Sequence, residues 1–475
     1  MRARTARPPR TRSWSWSDRL IEAGVLFLLV FTPLAYGTVE PWSEAIAELV
    51  VLGMAVTWVL ARLPDWELRL DLPPGWLPAA LFLVLVVVQV IWLPAALIRT
   101  ISPLTAAMDD AAVAYSAESP ALWSVSLAPH ATWQEGLKLL AVAAFFLVLY
   151  NTYRTRGQLQ RAVWAMIAIG TLISVFGIVQ RMTWNGRFYW IGPEAPHGAA
   201  FGPFVNRAHF AGLIVVVVPL ALALILAERR EPTRRPLHDR GWRGRLRRWN
   251  SQQARPTRLV PFLMVLMGAA ALVSGSRGGV VSLVVALLAM VGLGASGRSG
   301  MRRAARVAVA TALILLAGIW IGGDILYGTI ERLAEEVGRP EESARVAIWT
   351  DAIDLWRRAP ALGTGLASFE VAYPSIRTIK WPVTFLHAES DWVQLLTDTG
   401  LVGLGLAVAT VVILALALLR RARWAEAPRT RMFALAGLIA LFGATVQGIG
   451  NFNLPVMSNL LYLAVAVVAG LQTDG

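Results

Sequence analysis

The sequence predicts an all-α polytopic membrane protein with about twelve transmembrane helices and a large extracytoplasmic loop between the ninth and the tenth. Three observations predict it. Hydrophobic residues make up 56% of the 475-residue chain and charged residues only 16%, with a mean hydropathy of +0.56. The apolar residues fall in runs of roughly twenty, long enough to cross a hydrocarbon core of ~30 Å. The charges sit between the runs, and the basic ones gather in alternate connections.

Taken in order, the spans lie near 21–37, 44–61, 77–98, 137–153, 162–180, 210–227, 259–273, 279–294, 307–323, 400–419, 432–449 and 454–471. The first run leads through Thr38-Val39-Glu40-Pro41-Trp42 directly into a second span, without a small-residue cleavage site, so no cleavable signal peptide is expected. The N-terminus carries Arg2, Arg4, Arg7, Arg10, Arg12 and Arg19, and the connection 228–258 holds eleven arginines against three acids. Further arginines mark 151–161, 298–306 and 420–431. With twelve spans all of these fall on one side, which the positive-inside rule makes cytoplasmic. The net charge of +14 is therefore a topology signal, and no nucleic-acid partner is expected.

This places both termini in the cytoplasm of a bacterial inner membrane. The expected organisation is a basic N-terminus over 1–20, spans one to nine over 21–323, the large periplasmic loop over 324–399, and the last three spans with the C-terminus over 400–475. The outer segment 99–136 reads as irregular. The large loop reads as an amphipathic helix near 341–358, ending before Pro360, followed by a turn at Gly363-Thr364-Gly365. Cysteine is absent, so neither a disulfide framework nor a thiolate metal site is available.

Three clusters on the predicted outer face could carry chemistry. Phe201-Gly202-Pro203-Phe204-Val205-Asn206-Arg207-Ala208-His209 opens the sixth span, where Arg207 and His209 could hold an anion beside free helix N–H groups. Ser274-Gly275-Ser276-Arg277-Gly278-Gly279 joins two short spans, so Arg277 sits close to membrane depth, an expensive place for a charge that serves no purpose. The third cluster, within Leu386-His387-Ala388-Glu389-Ser390-Asp391-Trp392-Val393-Gln394-Leu395-Leu396, brings together His387, Glu389 and Asp391. As a helix it puts His387 and Asp391 on one face; extended, it puts His387, Glu389 and Asp391 together. Either arrangement offers a general base beside carboxylates. Arg345, on the amphipathic loop helix, is a further candidate.

No two histidines have ligand spacing and no Asp-x-Asp pair occurs, so neither a zinc site nor a metal-bound diphosphate is expected. Arginines without a metal suit a diphosphate leaving group, whose charge they neutralise as it develops. A base beside them suits activation of a hydroxyl. Outside the cytoplasm a donor must arrive already activated, and a lipid diphosphate sugar meets that need.

The chain resembles the O-antigen ligase and polysaccharide polymerase superfamily of bacterial membrane glycosyltransferases. Three places carry the resemblance: Gly202-Pro203-Phe204-Val205-Asn206-Arg207; Ser276-Arg277-Gly278; and the pattern from Arg345 and Trp349 through Pro360, Gly363-x-Gly365 and Phe369 to His387 and Gly400. The resemblance implies an undecaprenyl-diphosphate-linked glycan as donor, moved in one piece with inversion onto a saccharide or lipid acceptor hydroxyl, with no metal or other cofactor. It implies Arg277 and Arg207 as diphosphate ligands, with Arg181 and Arg187 as alternatives, and Arg345 as support for the loop. Many relatives read His-x-His-Asn where this chain has His387-Ala388-Glu389-Ser390, which leaves His387 as the base, Glu389 as the base, or catalysis that relies mainly on binding. Polymerisation of exopolysaccharide or O-antigen, ligation, and association with polysaccharide assembly proteins all fit. A lipid-linked sugar transporter or flippase would instead place polar groups within paired, repeated spans. A non-catalytic assembly subunit would have no need of arginines at 207 and 277.

Overall fold

A computed structural model describes residues 16–63, 70–116, 122–194, 200–228, 259–294, 311, 313, 344–378 and 384–472. The described chain is overwhelmingly helical: α1 Trp16–Leu34, α2 Pro41–Leu60, α3 Trp76–Val90, α4 Ala95–Ile101, α5 Pro103–Ser116, α6 Pro129–Thr152, α7 Arg156–Met182, α8 Arg207–Glu228, α9 Val260–Val273, α10 Arg277–Gly294, α11 Ala344–Arg358, α12 Phe369–Ala372, α13 Asp391–Trp424, α14 Pro428–Gln447 and α15 Met457–Gln472. Two two-residue strands, β1 Leu93–Pro94 and β2 Leu122–Trp123, pair antiparallel. Among the described residues α2, α6, α7, α8, α13 and α14 are long and apolar enough to cross a membrane, and α3, α9, α10 and α15 are shorter apolar helices. The chain is thus a multi-pass, all-α membrane protein. The expected ninth span, 307–323, apart from residues 311 and 313, the basic connections 229–258 and 298–306, and the first part of the large loop, 324–343, lie outside the described residues.

The helices start where capping chemistry allows. Pro41, Pro129 and Pro428 stand at the first position of α2, α6 and α14, where a missing N–H costs nothing. Thr155 and Gln158 form a capping box at the head of α7, each satisfying an orphan backbone donor of the other.

The core is built around α8. It packs against α7, α9, α10, α14 and α15, and 94% of its apolar stretch is buried inside the protein. A helix apolar on every face suits a position surrounded by other helices. Glycines permit the close approach: a Cβ on Gly279 of α10 would come within 2.3 Å of the Ala211 Cβ on α8. By contrast α13 lies at the edge, with 11% of its apolar stretch buried.

The outer segment 99–136 departs from the irregular structure expected of it. Together with residues 93–98, its described residues form α4, α5, the β1–β2 pair and the first turns of α6, around a small core of Ile98, Ala106, Trp123 and Val125. The amphipathic loop helix is present as α11. Its apolar face, Ile348, Ala352 and Leu355, packs with Phe369, Ala372, Tyr373 and Ala388 into a further small core. Asp351 secures that core, accepting from the Tyr373 hydroxyl at 3.0 Å and from the Thr378 N–H at 3.0 Å.

The loop also explains why α13 is broken. Gly400 has φ +63 inside the helix, so the backbone hydrogen bonds of one turn must be made elsewhere. They are made by the segment 360–365: Thr364 N–H donates to Thr397 O, Gly365 N–H to Asp398 O, and Leu401 N–H to Pro360 O, all at 2.9–3.0 Å. A Cβ at Gly363 would fall 2.4 Å from the Asp398 carbonyl carbon, so only glycine lets the two stretches of backbone meet. Gln89 of α3 locks the junction from the membrane side, donating to Leu362 O and Asp398 O and accepting from the Leu366 N–H.

Candidate functional site

The three sequence clusters meet at one end of the helix bundle. At the head of α8, Phe201 and Phe204 exchange backbone hydrogen bonds in a tight turn at Gly202, whose φ is +60. Phe201 seats on Gly177 of α7, where a Cβ would lie 2.3 Å from its ring. Asn206 caps the helix, its side-chain oxygen accepting the Ala208 N–H at 2.8 Å. This turn presents Arg207 as an exposed side chain at the first helical position.

The Arg207 guanidinium reaches the second cluster. Its Nη1 lies 3.4 Å from where a Cβ of Gly275 would stand, and Gly275 itself has φ +72. The turn is pinned by Ser274, which donates to Ala271 O, and by Ser276, whose hydroxyl accepts the Gly279 N–H and whose carbonyl accepts the Val280 N–H. Half-buried Arg277 then opens α10. Two helix N-termini, each with an arginine at its first residue, therefore stand side by side, and both favour negative charge.

The connection between α14 and α15 joins these arginines to the histidine cluster. Gly278 lies against Asn451, whose Nδ2 would be 2.3 Å from an added Cβ. The Asn451 and Gly448 carbonyls both accept the Asp391 N–H, at 3.0 and 2.9 Å. The Phe452 ring lies between the two histidines, stacked on His387 at 4.2 Å and edge-on to His209 at 5.2 Å.

Neither geometry expected for 387–391 is adopted. Ser390 is the N-cap of α13, accepting the Val393 N–H, and Glu389 sits in the left-handed region at φ +56. Asp391 is buried, and its carboxylate accepts the N–H groups of Asn453 and Leu454 at 3.0 Å. It clamps the α14–α15 connection onto the start of α13. Glu389 faces the other way and meets Arg345 of α11 at 3.4 Å in an exposed ion pair. Trp349 of α11 donates to the Ala388 carbonyl at 3.0 Å, so the loop helix holds the histidine segment from outside.

Half-buried His387 bonds Gln394 Oε1 through Nδ1 at 3.1 Å. Burial pushes its pKa down to about 4; the nearby Lys138 charge pushes the same way and the Gln394 hydrogen bond opposes it. The imidazole is therefore neutral near pH 7, the state a base requires. His209 is only 6% exposed and lies beneath Phe452. Arg187 is engaged by Glu194 at 2.9 Å and by the Gly192 carbonyl, in an exposed hairpin of its own. Arg181 lies in the last turn of α7.

Below His387 a cavity of about 530 Å³ runs along α13 from Asp391 to Leu414. At 1.5 Å per residue that is about 35 Å, somewhat more than the ~30 Å depth of a bilayer core. Its walls are aliphatic and aromatic, from α3, α6, α13 and α15, down to Leu72 and Trp76. His387, Asp391, Gln394, Asp398 and Glu135 gather at one end.

Sequence reasoning had not singled out several of these groups. Glu135 and Lys138 pair at 2.7 Å in α6, and Lys138 also holds Glu44 of α2 and the Pro455 carbonyl. Gln394 and Asp398 were hidden within a helix start. The signal for Lys138 was present, since a lysine inside an apolar run asks for a buried partner. Among the described residues no three His, Asp or Glu side chains gather as a metal site would require.

Residues 262–408 match the family model described as O-antigen ligase. The chain carries an O-antigen ligase family domain. Over these residues the chain is similar to membrane glycosyltransferases of the O-antigen ligase and polymerase type. No curated protein matches the chain. The O-antigen ligase match covers Arg277, Arg345, His387, Glu389, Gln394 and the Gly400 break, while Arg207 and the Phe452 connection come to the same place from outside it.

Proposed function

We propose that this protein transfers a glycan en bloc from undecaprenyl diphosphate to an acceptor hydroxyl on the periplasmic face of the inner membrane, during polymerisation or ligation of a surface polysaccharide. The observation that carries the reading is the meeting of Arg207, the Arg277 turn and the His387 segment at one end of the bundle, with His387 also lining a long apolar cavity. The polyprenyl chain occupies that cavity, having entered sideways from the bilayer. The diphosphate lies at the paired N-termini of α8 and α10, where Arg207 and Arg277 neutralise it as the anomeric bond breaks. His387 accepts the proton of the attacking hydroxyl, and the sugar inverts as the new bond forms on the opposite face. No metal ion is required in this scheme.

Among the expected catalytic carboxylates, Asp391 is committed to backbone N–H groups and serves as a scaffold. Glu389 and Arg345 tie the loop over the sugars. His209 supports Phe452 from below. In this reading the protein has twelve spans, with both termini cytoplasmic and the large loop 324–399 outside.

The test is glycan analysis of a strain lacking the gene, complemented with wild type, Arg277→Ala, His387→Ala or Glu389→Ala. Single repeat units left on the carrier identify a polymerase; long polymer stranded on the carrier identifies a ligase. Unchanged glycans would overturn the proposal in favour of transport or assembly.

A further inference from the structure

Gln394 stands one turn into α13, between His387 and Asp398, and its amide can be oriented in only one way. Its Oε1 accepts the Ala388 N–H at 3.3 Å, a backbone group that can only donate. Its Nε2 faces Oδ2 of the Asp398 carboxyl at 3.5 Å, an oxygen that can accept from it. Exchanging oxygen and nitrogen would set the amide nitrogen, a donor, against the Ala388 N–H, a second donor. The oxygen is thus fixed toward the histidine, 3.1 Å from Nδ1. An oxygen with lone pairs only cannot serve an unprotonated Nδ1, so the ring proton must sit there. In a neutral imidazole the remaining lone pair is then on Nε2.

The geometry points to Gln394 as a positioning residue that fixes His387 in the Nδ1–H tautomer, leaving Nε2 as the proton-accepting atom. Asp398 completes the device by holding the far end of the amide. That carboxylate is itself held by the Ala367 N–H at 3.0 Å, on the segment that folds against the α13 break. The orientation of the base is therefore transmitted from the Gly363-x-Gly365 turn through Asp398 and Gln394 to His387. Stacking on Phe452 fixes the plane of the ring at the same time. The arrangement does for a neutral amide what a carboxylate does in other histidine relays, without placing a second negative charge beside an anionic donor.

This inference rests on His387 being the base, so its test includes a readout independent of transfer. The chain has five histidines, which makes selective ¹⁵N-histidine labelling of the purified, detergent-solubilised protein practical. His387→Ala identifies the signal. The wild type is expected to show the proton on Nδ1, Gln394→Met to show a mixture of tautomers or Nε2–H, and Gln394→Glu, which keeps an acceptor, to retain Nδ1–H. Gln394→Met is further expected to lower kcat by roughly tenfold to a hundredfold with KM little changed. A wild-type Nε2–H signal, or a folded Gln394→Met protein that keeps pure Nδ1–H, would overturn the proposal. A confirmed tautomer with undiminished transfer in His387→Ala would instead remove His387 as the base, and with it the catalytic meaning of the lock.

Discussion

The helices α8 and α13 are nearly alike in hydropathy and opposite in surroundings. Of the apolar stretch of α8, 94% is buried within the protein; of α13, 11% is. Both begin at the site, one with Arg207 and the other with Asp391. The difference shows that hydropathy reports membrane residence and says nothing about which neighbour, protein or lipid, fills the space. It also divides the labour. The inner helix is locked by close packing and fixes the position of its arginine. The peripheral helix is broken at Gly400, so its polar first two turns can be set by the loop while the rest borders lipid and the cavity.

The sharpest way to break this comparison is to enlarge one glycine on each side. Gly279→Val would drive a side chain into Ala211 of α8, a backbone-adjacent contact that cannot yield. We expect destabilisation by roughly 3 kcal/mol and loss of monodisperse protein on size-exclusion chromatography. Gly405→Val in α13 meets nothing within 4 Å and should elute and melt like wild type. Equal behaviour of the two would mean that α8 is not the packed centre.

The next largest effect belongs to the arginine pair. Arg277→Ala should lower transfer by about 10²–10³-fold at normal abundance in the membrane, the scale for losing one preorganised charge partner of a developing anion. An abundant, active Arg277→Ala protein would remove the diphosphate role from the α8–α10 mouth.

At the mouth of α13 the corresponding test is pH. Burial depresses the His387 pKa to about 4, so the neutral base is present above that value and lost below it. Transfer should therefore hold from neutral pH downward and fall as pH drops through about 4, a limb that disappears in His387→Ala. The same depression costs stability in acid: the contribution is complete above the unfolded value of ~6.5 and is lost as pH falls toward the folded one. An acid limb near 6.5 would show that His387 is solvated and that the neighbouring Lys138 and Gln394 do not govern it.

The smallest effect is expected from Arg345→Ala or Glu389→Gln. The pair is substantially exposed, where such bridges contribute about 1 kcal/mol or less. Turnover should change only a few-fold. Loss as deep as that of His387→Ala would make Glu389 the base.

Much of this molecule was legible in its sequence. Run length predicted α1, α2, α8, α9, α10, α14 and α15 within about five residues at each end, because the bilayer imposes a length, while α3 stops short of its expected span and α6, α7 and α13 start six to nine residues earlier than expected. The amphipathic period over 344–358 gave α11 for the same reason: a local pattern with a local cause. The outer segment 99–136 was misread because α4 and α5 are short and held by a core that includes the distant Trp123, which no window of neighbouring residues contains. The 387–391 cluster was identified as a group, but its internal geometry was not. Whether Asp391 titrates freely or clamps a loop depends on Asn453 and Leu454, sixty residues further along the chain.

By itself the sequence determined the membrane, the helical class and the residue types from which the site is built. These follow from composition and short-range periodicity, which solvent and lipid act upon directly. The tertiary structure decided which apolar helix is central and which faces lipid, that the arginine and histidine clusters share one mouth, and that Gln394 rather than a carboxylate orients His387. Those outcomes depend on contacts between distant segments, in which glycines allow backbones to touch and buried polar groups must find partners. Such pairings carry no signature at the level of neighbouring residues.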